Sequence, residues 1–451
     1  MATSIAYTPA LLMGRGRAIL LLCLPALAGA QGTTTTPTQT PGPVLTLDEA
    51  LRLARERNGT FRATVQDYRA TRSRVDAARA AFFPELLASY RYTNNLQEIN
   101  NNSFRANAFE QKTGQINATF RFLDSGQRSL LYRASLRNAD GSFLNAVNQL
   151  RQTLFLVSTQ YYETSRAQEL QRVSDAQLDR ARAILLQTRA RVEVGDAARR
   201  EVLQASADAL NAQVAALTSR NRTATNAANL KASIGLEQSE GVPALQPVSA
   251  APASTALEPL DGLKQEATQI RPDLQARRQF IEAGKYQTRQ AEVEAGITVA
   301  VDGTYDFQFD PQRQANRGFA VLASYPLFDA GSRRAAVRER RATVLSLAEQ
   351  LTQAERQARA DVESAYIELS QNRQRLEAAD SAVEAARENY AAALGSQEAG
   401  AATIIDVLTA QVSLVTAETA RIEAVFDTLI AELRLQLATG RPLPGESAIN
   451  T

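Results

Sequence analysis

Residues 324–336, SYPLFDAGSRRAA, change from a strand pattern to a helix pattern, and a similar phrase, FRFLDSGQRSLL, occupies residues 120–131. Before the change, apolar residues alternate along the chain at Phe319, Val321, Ala323, Tyr325 and Leu327. Such alternation indicates a strand with one apolar face. The Ala- and Arg-rich continuation is typical of a helix. Each phrase therefore predicts a joint at which a strand turns into a helix.

The Asp-x-Gly at the centre of each phrase carries the predicted joint. Asp124 and Asp329 are expected to act as N-caps, because an aspartate oxygen can accept hydrogen bonds from the free amides of a first helical turn. Gly126 and Gly331 permit backbone angles that other residues avoid. A structural role is predicted for all four residues.

The two phrases belong to an internal duplication. One offset of 205 residues aligns Asp124 with Asp329, Gly126 with Gly331, Tyr161 with Tyr366, Gly195 with Gly400, Leu230 with Leu435, and Gly235 with Gly440. Further upstream the offset is about 213 and matches Ala54 with Ala267. The chain is thus predicted to consist of two homologous halves.

Proline is absent from residues 85–242 and 327–441, and its absence permits long helices. The pattern predicts long helices at about 125–193 and 330–397, with shorter return helices at about 197–234 and 402–438. At ~1.5 Å rise per residue a long helix reaches on the order of 100 Å. Helices of that length need partner helices, as in a coiled coil.

Each half also contains two predicted strands, at about 86–93 and 114–122 in the first half and about 297–309 and 317–327 in the second. Residues 94–112, which are rich in Asn, are expected to form a loop. One face of the third strand is polar, with Asp302, Thr304, Asp306 and Gln308. Four strands leave open sheet edges, and alternating strands in an exported chain point to an outer-membrane barrel.

The predicted domain order begins with a signal peptide at residues 1–30. Two arginines, an apolar run and the small residues Ala28-Gly29-Ala30 support this prediction. The remaining segments are a Thr/Pro tether at 31–43, the first half at 44–236, a linker at 237–262, the second half at 263–441 and a tail at 442–451.

Composition removes several classes of function. The chain has no His, and Cys23 is its only cysteine, so His or Cys metal sites and nucleophilic triads are excluded. No glycine-rich phosphate loop is present. Without the two arginines of residues 1–30 the chain has 48 basic and 48 acidic residues, which does not favour nucleic-acid binding. We expect no cofactor, no metal and no enzymatic activity.

Four phrases, in order and partly duplicated, resemble the outer membrane efflux protein family of TolC-like exit ducts. They are LTLDEALRLARERN (45–58), ARAAFFPELLASYRY (78–92), SYPLFDAGSRRAAV (324–337) and EAGAATIIDVLTAQVSL (398–414). The resemblance extends from about residue 45 to 442.

This resemblance implies an α+β membrane protein with duplicated halves, assembled as a homotrimer. Each chain would give four strands to a twelve-stranded β-barrel in the outer membrane, in contact with its lipid, and the helices would continue the duct through the periplasm. The implied partners are a periplasmic adaptor and an inner-membrane pump or ABC-type transporter, in an efflux or type I secretion system. The alternative is a periplasmic coiled-coil adaptor or scaffold, but an adaptor usually carries lipoyl-like segments, and none is evident.

The ends of the long helices are predicted to be hairpin turns. The residues concerned are Val194, Gly195, Asp196, Ala399, Gly400 and Ala401. The resemblance adds that these turns form the periplasmic entrance and dock the adaptor.

Glu201 and Asp406 correspond to each other at the start of the return helices. From the sequence alone, a solvated helix face is the simpler interpretation. The resemblance instead places Asp406, within IIDVLTA, in a three-fold ring of carboxylates that narrows the duct, where like charges would raise the pKa of each member. The family's second acid is replaced by Thr409 and its arginine by Ala402, so neither a double acidic ring nor an arginine lock is expected. Tyr161 and Tyr366 are predicted to be packing residues.

Overall fold

The computed structural model describes residues 44–98, 106–195, 198–237, 245–248, 257–310 and 313–446. The predicted signal peptide, the tether, most of the linker and residues 447–451 lie outside the described residues.

The described chain forms eight helices and four strands in a duplicated order. The first half contains α1 (Leu47–Arg57), α2 (Gly59–Ala80), β1 (Glu85–Glu98), β2 (Ala106–Leu123), α3 (Gln127–Glu193) and α4 (Arg199–Ile234). The second half contains α5 (Leu260–Ile270), α6 (Pro272–Val293), β3 (Thr298–Asp310), β4 (Gln314–Ser324), α7 (Ser332–Glu398) and α8 (Ile404–Thr439). The long helices α3 and α7 each have 67 residues, and α4 and α8 each have 36.

Each half begins with two helices. Asn58 has ψ 120° and ends α1, and its side-chain oxygen then accepts the Phe61 amide 3.1 Å away to begin α2. In the second half Arg271 takes the same extended conformation before Pro272, which disfavours a helical residue in front of it. Each break lets the chain bend between two amphipathic helices.

The strands form one antiparallel sheet in the order β1-β2-β3-β4. Consecutive strands pair throughout, and β2 pairs with β3 to join the two halves in one sheet. In the described chain β1 and β4 are therefore the sheet edges.

The strand limits differ from those predicted. The β1–β2 register is continuous from Glu85↔Thr119 to Glu98↔Ala106, so much of the expected Asn-rich loop is strand. Asparagine is uncommon in strands. Once two strands have begun to pair, however, their backbone hydrogen bonds can continue through asparagine residues. In β4 the pairing ends at Ser324, although the apolar alternation continues to Leu327.

The largest apolar cluster lies where α1, α3 and α4 meet. Its buried side chains include Leu51, Leu150, Leu154, Leu230 and Ile234. Tyr161 is 2% exposed in this cluster, and its hydroxyl lies 3.1 Å from the Leu45 carbonyl oxygen and 3.2 Å from that of Gln246. Tyr161 thus holds two segments against α3: the residues just before α1 and the described part of the linker.

Further along the long helices the core is thin and rich in alanine. Ala181, Ala209, Ala212 and Ala216 pack with Leu178 between α3 and α4, and small side chains let two helices approach closely. Helix α3 also packs against α6 and α8 of the other half. Among the described residues, no helix is both long and apolar enough to cross a membrane.

Candidate functional site: strand-to-helix joints and helix-hairpin turns

The first joint is a tight turn closed by Asp124. The Gln127 amide donates to the Asp124 carbonyl oxygen at 3.0 Å, and both central residues of the turn have positive φ, 54° at Ser125 and 88° at Gly126. Two left-handed residues in succession are typical of a type I′ turn. This turn ends β2 and starts α3.

The side chain of Asp124 organises the same turn. One carboxylate oxygen accepts the Gly126 amide at 3.1 Å, and the other accepts the Arg128 amide at 2.9 Å and the Arg128 Nε at 2.7 Å. The Arg128 guanidinium also donates to the Ala81 carbonyl oxygen at 3.3 Å and lies over the Phe82 ring. One aspartate–arginine pair therefore ties the end of β2, the start of α3 and the end of α2 together.

The second joint repeats this geometry. Asp329 accepts the Gly331 amide at 3.1 Å, the Arg333 amide at 3.0 Å and the Arg333 Nε at 2.8 Å. Ala330 and Gly331 have φ 52° and 87°. Neither aspartate is the N-cap residue itself, since Gly126 and Gly331 occupy that position; the aspartates lie two residues earlier because the turn intervenes.

These hydrogen bonds favour the ionised aspartates. Burial opposes ionisation of Asp124, but the donors of Arg128 and Gly126 outweigh it and lower its pKa. The amides of Arg333 and Gly331 lower the pKa of Asp329. Both aspartates are therefore ionised at neutral pH, and each is paired with an arginine.

The two joints differ in how much of them is covered. The side chains of Asp124 and Arg128 are 8% and 12% exposed, whereas those of Asp329 and Arg333 are 31% and 22% exposed. At the first joint Ser125 Oγ donates to the Ile297 carbonyl oxygen just before β3, at 3.0 Å. No described segment covers the second joint in this way.

The hairpin turns contain matched glycines. Gly195 and Gly400 have φ 80° and 72°, and a Cβ at either position would meet no atom within 4 Å. Glycine is needed there for the backbone conformation. Val194 is 79% exposed, Ala399 and Ala401 are exposed, and Asp196 lies outside the described residues.

Asp406 caps α8 in the single chain. Its carboxylate accepts the Thr403 amide at 2.8 Å and the Thr403 hydroxyl at 2.7 Å, and these bonds lower its pKa. Glu201 makes a weaker version of this contact, accepting the Ala198 amide at 3.4 Å. No hydrogen bond or ion pair joins these two described acids, and each belongs to its own hairpin.

The two hairpins meet just behind these acids. Ile184 and Ala205 of the first hairpin pack with Ile404, Val407 and Leu408 of the second. The predicted entrance residues are thus held near one apolar contact.

Two features were not predicted from the sequence. The first is the arginine of each joint, Arg128 and Arg333. These arginines are separated by 205 residues, and the repeated pattern Asp-x-Gly-x-Arg could have revealed them. The second feature is a polar seam between α3 and α8, in which Arg166 pairs with Asp427 at 2.9 Å and Arg180 lies 3.9 Å from Glu418.

Gln411 belongs to the same seam and is 1% exposed, and neither atom of its amide has a hydrogen-bond partner in the protein. Which helix faces meet along this seam depends on tertiary packing, so the seam left no local signal.

Comparison with known proteins decides the family. The outer membrane efflux protein model matches residues 50–236 and 263–441, one match for each half. The chain belongs to the outer membrane efflux protein family. Together with the fold, this membership identifies the chain as an outer-membrane exit channel and replaces the adaptor alternative.

Several known proteins are similar to this chain over most of its length. Protein CyaE of Bordetella pertussis is 26% identical over 341 residues, covering 72% of this chain and 69% of CyaE. The crystal structure of VceC from Vibrio cholerae has a TM-score of 0.71 at 18% identity and covers 88% of this chain and 96% of VceC. The open state of the MtrE outer membrane channel of Neisseria gonorrhoeae has a TM-score of 0.74 at 18% identity, covering 88% and 89%.

Proposed function

We propose that this exit channel is a passive homotrimeric duct. Its strands form the outer-membrane part and its helices the periplasmic part, while an inner-membrane transporter supplies the energy. The observation that carries the proposal is the four-stranded sheet with two unpaired edges, β1 and β4, in a chain whose halves repeat.

The duplication supplies a register for closing those edges. Since β4 corresponds to β2 and β1 to β3, the β2–β3 pairing is a template for pairing β4 with β1 of a second copy. Thr119 lies opposite Asp302; their repeat equivalents are Ser324 and Ser89. The template therefore pairs Ser324 with Ser89 of the next copy.

The exposed second joint fits the same arrangement. Phe83 corresponds to Gly296, which lies against Ser125 at the first joint. Phe83, Leu327 and Phe328 are 63%, 90% and 89% exposed in one chain. Beside a second copy, the segment before β1 would cover the second joint as the segment before β3 covers the first.

The helices carry a matching apolar stripe. On α4, Leu203, Leu210, Val214 and Leu217 are 52% to 66% exposed and follow heptad-like spacing. Their equivalents on α8 are Leu408, Val415, Thr419 and Ile422, all buried or half-buried. Because α8 packs on α3, we infer that the α4 stripe packs on α7 of the next copy, whose facing positions Ala382, Ala385 and Asn389 are exposed in one chain.

Disulfide cross-linking tests the register and the number of copies. Cys23 is the only cysteine and lies in the predicted signal peptide, so introduced cysteines have no competitor. Cross-strand Cα distances of about 4.5–5.5 Å suit a disulfide. Oxidised S89C/S324C is expected to migrate as a covalent trimer on a denaturing, non-reducing gel.

The matched control is S89C/A323C, which shifts one cysteine to the other sheet face and should stay monomeric on that gel. Linkage that stops at dimers, fails in S89C/S324C, or forms equally in the control contradicts the proposal.

Within this duct, Asp406 and Glu201 are proposed to line the periplasmic aperture. Asp406→Ala and Glu201→Ala should raise single-channel conductance in planar bilayers and lower cation preference. Thr403→Ala is the control, because it removes the hydroxyl of the cap and keeps the carboxylate. Unchanged conductance and selectivity in both acid variants would exclude this role, and an equal effect of Thr403→Ala would assign it to the cap.

The hairpin turns at Gly195 and Gly400 are proposed to dock a periplasmic adaptor. Their exposure and their position at the free ends of the longest helices support this role. Val194→Asp and Ala401→Asp should each weaken adaptor binding in a pull-down without changing trimer cross-linking. Full binding by both variants would contradict docking at the turns.

A further inference from the structure

The apolar face of the sheet carries charge at one end only. Cross-strand neighbours share a face, and the register assigns to this face residues such as Leu86, Ala118, Phe120, Val301 and Val321. Among its described side chains, the charged ones are Glu110, Lys112 and Arg317. All three lie toward the hairpin ends of the strands, away from the helices.

The two basic residues occupy equivalent positions in the halves. Lys112 lies opposite Tyr92 in the β1–β2 register, and Arg317 lies opposite Tyr305 in the β3–β4 register. The offset of 205 relates Lys112 to Arg317, and the offset of 213 relates Tyr92 to Tyr305. A tyrosine–cation pair is thus duplicated at one height on an otherwise apolar face.

A run of aromatic rings accompanies these pairs. Ring centroids are 5.9 Å apart for Tyr305 and Phe307, 5.0 Å for Phe307 and Phe309, and 6.3 Å for Phe309 and Tyr90. Phe307 lies over Gly114, where a Cβ would come within 2.2 Å of its ring. The rings form a run that follows β3 from Tyr305 toward the hairpin end and reaches Tyr90 of β1; we call this run the aromatic belt, and it begins at one of the tyrosine–cation pairs.

The spacing along the strands places this belt at a membrane surface. Lys112 and Phe122 are ten residues apart on one face, about 34 Å along a strand. A strand tilt of about 40° reduces this to a height of about 25 Å, the thickness of the apolar band of outer-membrane barrels. If the joints mark the periplasmic surface, as the proposed function requires, the belt lies at the outer surface.

We propose that the two tyrosine–cation pairs, Tyr92–Lys112 and Tyr305–Arg317, bind the phosphate groups of anionic lipids in the outer leaflet. Arg317 has no ion pair with any described residue, and the Lys112 amine lies 3.9 Å from the Glu110 carboxylate. Each tyrosine hydroxyl adds a donor for phosphate oxygen. In a trimer the duplication gives six such pairs around the barrel.

The test measures lipid binding to the full-length trimer by native mass spectrometry. The probes are phosphatidic acid, phosphatidylcholine with the same acyl chains, and inorganic phosphate. We expect the unmodified protein to retain phosphatidic acid at least several-fold better than phosphatidylcholine, and K112Q/R317Q to lose this preference. R91Q/R121Q removes two cations from the opposite, polar face and should keep it.

Equal retention by K112Q/R317Q, or equal loss in R91Q/R121Q, would overturn the inference. Competition by inorganic phosphate at the same phosphate concentration would also overturn it, because that result indicates a free-anion site. K112R/R317K retains both charges and should bind like the parent, which separates charge loss from misfolding. A protein that still cross-links through S89C/S324C but lacks the lipid preference refutes only this inference, whereas failure of the cross-link refutes the trimer.

Discussion

At the scale of single residues, the joints depend on two consecutive left-handed residues. Gly126 and Gly331 tolerate this conformation, and the aspartate–arginine pairs supply the hydrogen bonds that fix it. Ser125 and Ala330 accept the strain of a positive φ because the turn hydrogen bond and the caps on either side hold them.

Gly331→Ala should destabilise the protein by about 1–2 kcal/mol, because an L-residue there must adopt the left-handed region. The added Cβ meets no atom within 4 Å, so the effect is one of backbone conformation. Gly395→Ala is the control, since it lies inside α7, where alanine should stabilise by about 0.5–1 kcal/mol. The midpoints of thermal unfolding of the two variants in detergent should therefore shift in opposite directions from that of the parent protein. Shifts of the same sign would contradict this explanation.

The cap made by Asp406 should depend on pH. Its hydrogen bonds lower the folded-state pKa, so its stabilisation is complete above the unfolded value of about 3.9 and disappears as pH falls through the folded pKa. Hydrogen exchange of the first α8 amides, compared with those of α4, should accelerate below about pH 4. Asp406→Asn should remove this extra pH dependence; if the acceleration persists in that variant, another group causes it.

At the scale of elements, the sheet separates an apolar face from a polar one, and neighbouring residues test the assignment. Val321 and Leu322 are each 60% exposed but point to opposite faces of β4. Val321→Arg should cost about 2–4 kcal/mol in the membrane and reduce the amount of the protein recovered in outer-membrane fractions. Leu322→Arg should be tolerated, and equal loss in both variants would contradict the face assignment.

The polar seam between α3 and α8 contains a removable defect. A buried polar group without a partner costs about 1–3 kcal/mol, and the Gln411 amide is such a group. Gln411→Met should raise the stability by about 1 kcal/mol, whereas Gln350→Met on the exposed surface of α7 should leave it nearly unchanged. A lower unfolding midpoint for Gln411→Met would show that the amide has a partner in the assembled protein.

Elements with a local cause were predictable from the sequence. The absence of proline indicated α3 and α7, and the repeated Asp-x-Gly indicated where they begin. The break at Asn58 depends on its contact with the Ser233 carbonyl oxygen, at 2.9 Å, which belongs to a distant helix. The strand through Asn95 depends on its partner Phe109, and the seam at Gln411 depends on which helix faces meet.

At the scale of the whole molecule, the two halves are joined by more than the linker. Strands β2 and β3 pair across the halves, α3 packs on α6 and α8, and Phe280 fills the space above Gly141, where a Cβ would come within 2.6 Å of its ring. Tyr161 holds residues near 246 on the first half, so the linker is anchored before it reaches the second.

Breaking the chain after residue 250 should therefore leave the protein assembled. Two polypeptides, each with its own signal peptide and ending or starting at that break, should co-purify from outer membranes when only the second carries a tag. The control is Gly141→Leu in the first polypeptide, which should weaken recovery by displacing Phe280. Recovery of the tagged half alone from the unmodified pair would show that covalent continuity is needed.

The paired β2 and β3 strands make each polypeptide, in effect, a heterodimer of two related subunits that happen to share one gene. The two subunits are then free to diverge, and they have done so at the joints, one of which is covered within the chain while the other is more exposed. In the proposed trimer, six near-equivalent units would form a ring with three-fold symmetry, and its contacts would alternate between those made within one chain and those made at assembly.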